Sequence, residues 1–235
     1  MKLVIGLVVK EGVEFIEQWV ECIERLKCDI IVVDNGADKE IKERLIYHPQ
    51  VIQYHIQNFP GRNQSRDYQK ILDMAREEKA DWIWNLDIDE YVSELNIDNL
   101  LQFLLNCSLP SAGLPLIEMR NDNEHYVMVK EANGELRNGR LVHKIYKTLS
   151  HFAFDKNDIH GCSIPHNCPR EKNFIPILVQ HYGHYTKELR DQKRKRSGHD
   201  KDIDEYQQTW FEEDKSKITI KSWSSLIKEW KEKYQ

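Results

Sequence analysis

The stretch Trp82-Ile83-Trp84-Asn85-Leu86-Asp87-Ile88-Asp89-Glu90 decides how the rest of this 235-residue chain is read. In a strand, successive side chains point to opposite faces. Trp82, Trp84, Leu86 and Ile88 then share an apolar face, and Asn85, Asp87 and Asp89 share the other. Ala80–Asp89 therefore reads as a buried strand whose far end carries two carboxylates. Like charges so close raise each other's pKa unless a cation neutralises them. Oxygen ligands suit Mg²⁺ or Mn²⁺, either of which can hold a diphosphate. The plainer alternative is a solvated strand end with a helix cap at Asp89.

Working outward, Leu3–Val9 and Asp29–Asp34 are continuous apolar, β-branched runs, as expected of strands covered on both faces. Between them Val13, Ile16, Val20, Ile23 and Leu26 recur at helical spacing. Lys39–Tyr47 reads as a short helix, Val51–Gln57 as a third strand and Asn63–Lys79 as a helix with Tyr68, Ile71, Leu72 and Ala75 on one face. Strands alternating with helices imply crossover units and a mainly parallel sheet. After about residue 110 the character changes. Leu114–Met119, Leu141–Lys147 and Ile175–Tyr182 read as strands separated by irregular polar segments, and the charged chain from Lys187 onward reads as helical.

Composition narrows the class. The chain is 40% hydrophobic and 31% charged, with a mean hydropathy of −0.68, which excludes a collagen-like or disordered chain. No apolar run approaches the ~20 residues a spanning helix needs. A net charge of −5 argues against a duplex-wrapping protein. The basic run Lys193–Arg196 is diluted by Glu188, Asp191, Asp200 and Asp202, so no nucleic-acid partner is expected. Leu3–Val9 is too short for a signal peptide, and five cysteines without framework spacing suit a reducing compartment. A cytoplasmic location follows as the expectation.

Asp34 ends the second strand and is followed by Asn35-Gly36. A carboxylate there contacts a ligand outside the strand ends or supports the turn, and both readings stand. The succession Val8-Val9-Lys10-Glu11, Ile31–Gly36, Gly61-Arg62-Asn63 and Asp81–Glu90 resembles the GT-A glycosyltransferases, specifically the family 2-like group. Gln180-His181-Tyr182-Gly183 followed by Lys193 and Arg196 is similar to the histidine-and-basic segment that closes such sites.

The resemblance implies a GT-A-like mainly parallel sheet flanked by helices, with a mixed second half and a helical C-terminus. It implies one domain over 1–235: a nucleotide-binding half at 1–110, an acceptor-side half at 111–185 and a helical segment at 186–235. The activity implied is metal-dependent transfer from a nucleotide-diphosphate sugar, with Mn²⁺ or Mg²⁺ as cofactor. Val9 and Glu11 border the nucleoside, Asp34 contacts the base, Arg62 lies near the donor and Asp87 with Asp89 forms the metal motif. His181 completes the metal shell or contacts the diphosphate, and Lys193 and Arg196 neutralise the leaving group. An inverting enzyme also needs a carboxylate base, for which Glu118, Asp122 and Asp158 are candidates beside Asp89. The acceptor is left open between a lipid-linked glycan, a surface glycan and a protein.

Three other readings compete. A haloacid-dehalogenase-like phosphatase also uses Asp-x-Asp, but on its first strand. A sugar nucleotidyltransferase would need a Gly-rich first turn where this chain has Lys10-Glu11-Gly12. A non-catalytic module stabilised by zinc on His160, Cys162, His166 and Cys168 is the third. Finally, Trp223, Leu226, Ile227, Trp230 and Tyr234 form a helical stripe that packs on the domain or a second subunit, or docks peripherally at the inner face of a membrane.

Overall fold

A computed structural model describes residues 1–58, 63–92, 97–120, 122–130, 136–138, 140–155, 163–170, 175, 177–183, 186, 188 and 218–234. Its strands are β1 (Leu3–Val9), β2 (Asp29–Asp34), β3 (Val51–Ile56), β4 (Trp82–Asn85), β5 (Glu90–Tyr91), β6 (Ser111–Arg120), β7 (Asp122–Lys130), β8 (Leu136–Asn138), β9 (Arg140–Lys147), β10 (Val179–His181) and β11 (Ile218–Ser222). The helices are α1 (Ile16–Leu26), α2 (Lys39–Leu45), α3 (Gln64–Glu77), α4 (Ile97–Asn106) and α5 (Trp223–Tyr234). Two compact units result: 1–114 with 142–177, and 115–141 with 178–235. These boundaries cut across the segments expected from sequence, because 142–177 rejoins the first unit.

In the first unit the strand order is β9-β4-β1-β2-β3. β1, β2, β3 and β4 are parallel, and β9 runs antiparallel to β4. Apart from half-buried Val8 and Asp29, the β1 and β2 runs are buried because helices cover both faces. Passing from β1 to β2 to β3 moves one way across the sheet, whereas β3 to β4 moves back beyond β1. With right-handed crossovers, α1 and α2 lie on one face and α3 on the other. On the α3 face, Tyr68, Ile71, Leu72 and Ala75 close over Val4, Ile31, Val33 and Ile83 and continue to Tyr146, Phe152 and Phe154. Asn63 caps α3 by accepting the Arg66 N–H at 2.9 Å. The reversal places the C-terminal ends of β1 and β4 side by side, the switch point where open α/β sheets bind ligands.

β4 is shorter than Ala80–Asp89. It stops at Asn85, and Asp87–Glu90 forms a turn in which the Glu90 N–H donates to the Asp87 carbonyl at 3.0 Å. Asp87 and Asp89 therefore do not share a strand face; they are the first and third residues of that turn.

The second unit is built on β11-β7-β6 with antiparallel neighbours, β8 beside β7, and β10 parallel to β6. β7 and β8 lie where irregular polar chain was expected, and β11 interrupts the expected helical tail. Trp223 and Leu226 of α5 are buried, and the helix packs on β7 and β11. No helix among the described residues is long and apolar enough to cross a membrane.

Candidate functional site

β1 delivers Val9 to the sheet end, where its carbonyl accepts the Asn35 N–H at 2.8 Å. The chain then turns at Gly12, whose φ of +110° favours glycine. A Cβ there would lie 2.7 Å from Ile88 Cγ2. The exit of β1 and the acidic turn after β4 thus touch, and only hydrogen at Gly12 permits that approach. Glu11 is exposed on the same loop.

The turn is held from within and from β9. Glu90 Oε2 accepts the Asp87 N–H at 3.0 Å. Lys144 Nζ lies 2.5 Å from Asp87 Oδ2 and 2.5 Å from Glu90 Oε1, with the lysine only 4% exposed. Burial alone would lower the Lys144 pKa, but the charges of Asp87 and Glu90 outweigh it and hold the ammonium protonated above its ordinary range. Tyr68 donates its hydroxyl to Asp87 Oδ1 at 3.3 Å, and burial followed by the Asp87 charge raises the pKa of that phenol. Asp87 is nevertheless 37% exposed along its side chain, so it faces solvent from a fixed position.

Asp34, in contrast, is 0% exposed. Its Oδ1 accepts the N–H groups of Gly36 at 2.9 Å and Ala37 at 2.6 Å, and its Oδ2 accepts the Tyr54 hydroxyl at 3.0 Å. Lys42 Nζ lies 3.5 Å from the same Oδ2. Of the two roles open to Asp34, this geometry is the turn-supporting one: the carboxylate is enclosed rather than offered to a base.

Beside it lies a network that the sequence did not disclose. The Asn35 side chain donates to Asp67 Oδ2 at 2.7 Å, and Gln57 and Arg66 donate to Asp67 Oδ1 at 2.9 and 2.8 Å. Burial raises the Asp67 pKa, opposed by the Arg66 hydrogen bond and charge. This network ties the ends of β2 and β3 to the first turn of α3. The sequence reading named none of Lys144, Tyr68, Glu90 and Asp67 as a site residue. The one available signal was a lysine inside the apolar run of β9.

In the second unit, His181 on β10 stands opposite Glu118 on β6, and His181 Nδ1 lies 2.6 Å from Glu118 Oε2. Both are buried. The residue read as a metal or diphosphate contact and one of the base candidates are therefore partners. Asp122 begins β7. Arg62, Asp158, Lys193 and Arg196 lie outside the described residues, as do His160 and Cys162 of the zinc alternative. Cys168 is a buried free thiol and His166 is exposed.

The expected two-carboxylate metal motif does not fit this arrangement. A cation bound through Asp87 would sit against the like charge of the Lys144 ammonium, which already holds Oδ2, with the Tyr68 hydroxyl on Oδ1. Among the described residues, no group of three or more His, Cys, Asp or Glu side chains is placed to hold an ion.

No protein-family model and no curated protein matches the chain. Its fold does match solved structures. S. aureus TarS superposes with a TM-score of 0.52 at 12% identity, over 90% of this chain and 42% of that one. TarS 1–349 superposes with a TM-score of 0.50 at 12% identity, over 90% of this chain and 69% of that one. TarS 1–349 in complex with UDP gives 0.47 at 12% identity, over 90% and 70%. The chain spans less than half of the first two structures found, 36% of one and 42% of the other. The fold is GT-A-like, as the motif succession implied.

Proposed function

We propose that this chain transfers a sugar from a nucleotide-diphosphate sugar to an acceptor hydroxyl, with the donor bound at the carboxyl ends of β1 and β4. One observation carries the reading. In a GT-A-like fold, the acidic turn Asp87–Glu90 sits at the switch point against the exit of β1, with Asp87 both fixed and solvent-facing.

The chemistry follows from that geometry. Asp87 is oriented before any ligand arrives, so it accepts donor hydroxyl groups without reorganising. Lys144 cancels one of the three acidic charges of the turn, which lowers the repulsion that a diphosphate meets there. Val9 and Glu11, on the exit of β1, border the nucleoside. The family resemblance, not the geometry, assigns Lys193 and Arg196 to the charge that develops on the leaving diphosphate. Glu118 holds the His181 ring through Nδ1, an arrangement that fixes the ring's orientation, and the pair is assigned to proton removal from an acceptor.

The test is a panel of nucleoside diphosphates and their sugars, followed by thermal shift and by product analysis with glycan, lipid-linked and protein acceptors. A bound donor raises Tm by mass action. Release of nucleoside diphosphate, abolished by Asp89→Asn, is the expected outcome. Release of pyrophosphate from a nucleoside triphosphate would replace this reading with nucleotidyl transfer, and absence of any shift across the panel would remove it.

A further inference from the structure

The cation that completes the acidic turn belongs to the chain itself. Lys144 reaches the turn from β9, fixed there because Ile145 and Tyr146 pair with Trp84 and Ile83 of β4. Its ammonium lies 2.5 Å from an oxygen of Asp87 and 2.5 Å from an oxygen of Glu90. The remaining Glu90 oxygen takes the Asp87 N–H, and the remaining Asp87 oxygen takes Tyr68. Carboxylates this close need a positive partner. A metal entering at Asp87 would meet the like charge of a buried ammonium already seated on Oδ2 and would leave that ammonium to Glu90 alone.

We infer that Lys144 stands where a divalent cation was expected: it is the resident counter-ion of Asp87 and Glu90, the turn assembles without metal, and Asp87 gives no oxygen to a metal ion. A lysine thereby divides the Asp-x-Asp pair. Asp87 is committed to Lys144, and any divalent ion recruited to this end of the sheet binds without it. The inference holds whatever the donor proves to be, so it stands or falls apart from the proposed activity.

The experiment uses the full chain and Mn²⁺ alone, followed by electron paramagnetic resonance titration and by Tm with and without EDTA. Four proteins are compared: wild type, Asp87→Asn, Lys144→Met and Lys144→Met/Asp87→Asn. The wild type and Asp87→Asn should bind Mn²⁺ equally, and EDTA should leave the wild-type Tm unchanged. Lys144→Met, which strips the carboxylates of their cation, should gain Mn²⁺ affinity by about tenfold or more, and Asp87→Asn in that background should abolish the gain. A purely structural lysine would create no such gain. If Lys144→Met fails to fold, Lys144→Met/Glu90→Gln removes one charge of each sign and takes its place. Loss of wild-type Mn²⁺ binding in Asp87→Asn, or a wild-type Tm that falls with EDTA, would overturn the inference. So would Lys144 variants whose Mn²⁺ affinity matches the wild type.

Discussion

Replacing Gly12 by alanine tests whether the β1 exit and the acidic turn are as close as described. Two costs add. The residue has φ +110° and ψ 33°, a left-handed conformation that costs an L side chain about 1–2 kcal/mol. The added methyl would meet Ile88 Cγ2 at 2.7 Å, roughly 0.8 Å inside the separation of about 3.5 Å at which carbon atoms rest. Overpacking of this kind costs about 1–3 kcal/mol, and half-buried Ile88 can yield, so the lower end applies. Against these, alanine restricts the unfolded chain and returns about 0.4–1 kcal/mol. The net is a loss of about 2 kcal/mol, seen as a fall in Tm of about 4–8 °C. Because Ile88 lies between Asp87 and Asp89, the same push should weaken nucleoside diphosphate binding. Ile88→Ala removes the clash but not the backbone strain, so in a double-mutant cycle Gly12→Ala should cost roughly half as much in the Ile88→Ala background as in the parent, and that difference is the recovery. A Gly12→Ala protein as stable as the parent, or no recovery in the double variant, would refute the contact.

Asp34→Asn keeps one acceptor oxygen but places an amide against the Tyr54 hydroxyl and Lys42; a loss of about 2 kcal/mol in urea denaturation is expected, and unchanged stability would show that the network is not closed. Burial pushes the Cys28 thiol from its ordinary 9.0 up to about 12 and the Cys168 thiol up to about 11. Both folded values are raised, so the stability they contribute is present below about pH 9 and lost as pH rises through that window. Iodoacetamide near pH 8 should therefore spare both thiols in the native protein and label them in urea, whereas equal labelling would contradict their burial. Glu118→Gln and His181→Asn should each lower turnover about as much as the two together, since the pair acts as one unit; additive losses in a double-mutant cycle would separate them.

The parallel half of the sheet was legible because its strands are buried on both faces, and such strands announce themselves as unbroken apolar runs. Leu3–Val9 and Asp29–Asp34 were read with their observed bounds. Reading failed where a local pattern is overridden from far along the chain. Alternation carries Trp82–Asp89 on as one strand, yet it ends at Asn85 because Glu90 folds back on the Asp87 N–H and Lys144, from a strand more than fifty residues later, grips both acids. The polar opening of β7, Asp122–His125, hid a strand whose apolar half is Tyr126–Val129, and β11 was lost in a charged tail. At the site, the acids were legible by type and place. Their partners were not, because spacing reveals which residues share an element and never which charge on another strand will meet them.

That last point bears on why a lysine occupies position 144 at all. A buried ion pair is a weak source of stability: well-packed apolar residues of the same volume commonly do as well or better. An apolar side chain on β9 would therefore serve the sheet, with Ile145 and Tyr146 already buried beside it. It would not serve the turn. Without the ammonium, Asp87 and Glu90 repel each other and Asp87 is free to rotate into water, where its direction is lost. With it, the ammonium, the Tyr68 phenol and Glu90, which accepts the Asp87 N–H, fix one orientation of a solvent-facing acid. Stability does not require that arrangement, whereas a ligand that must meet Asp87 at a set angle does. The position of Lys144 thus argues for function at this turn independently of any relative of the chain.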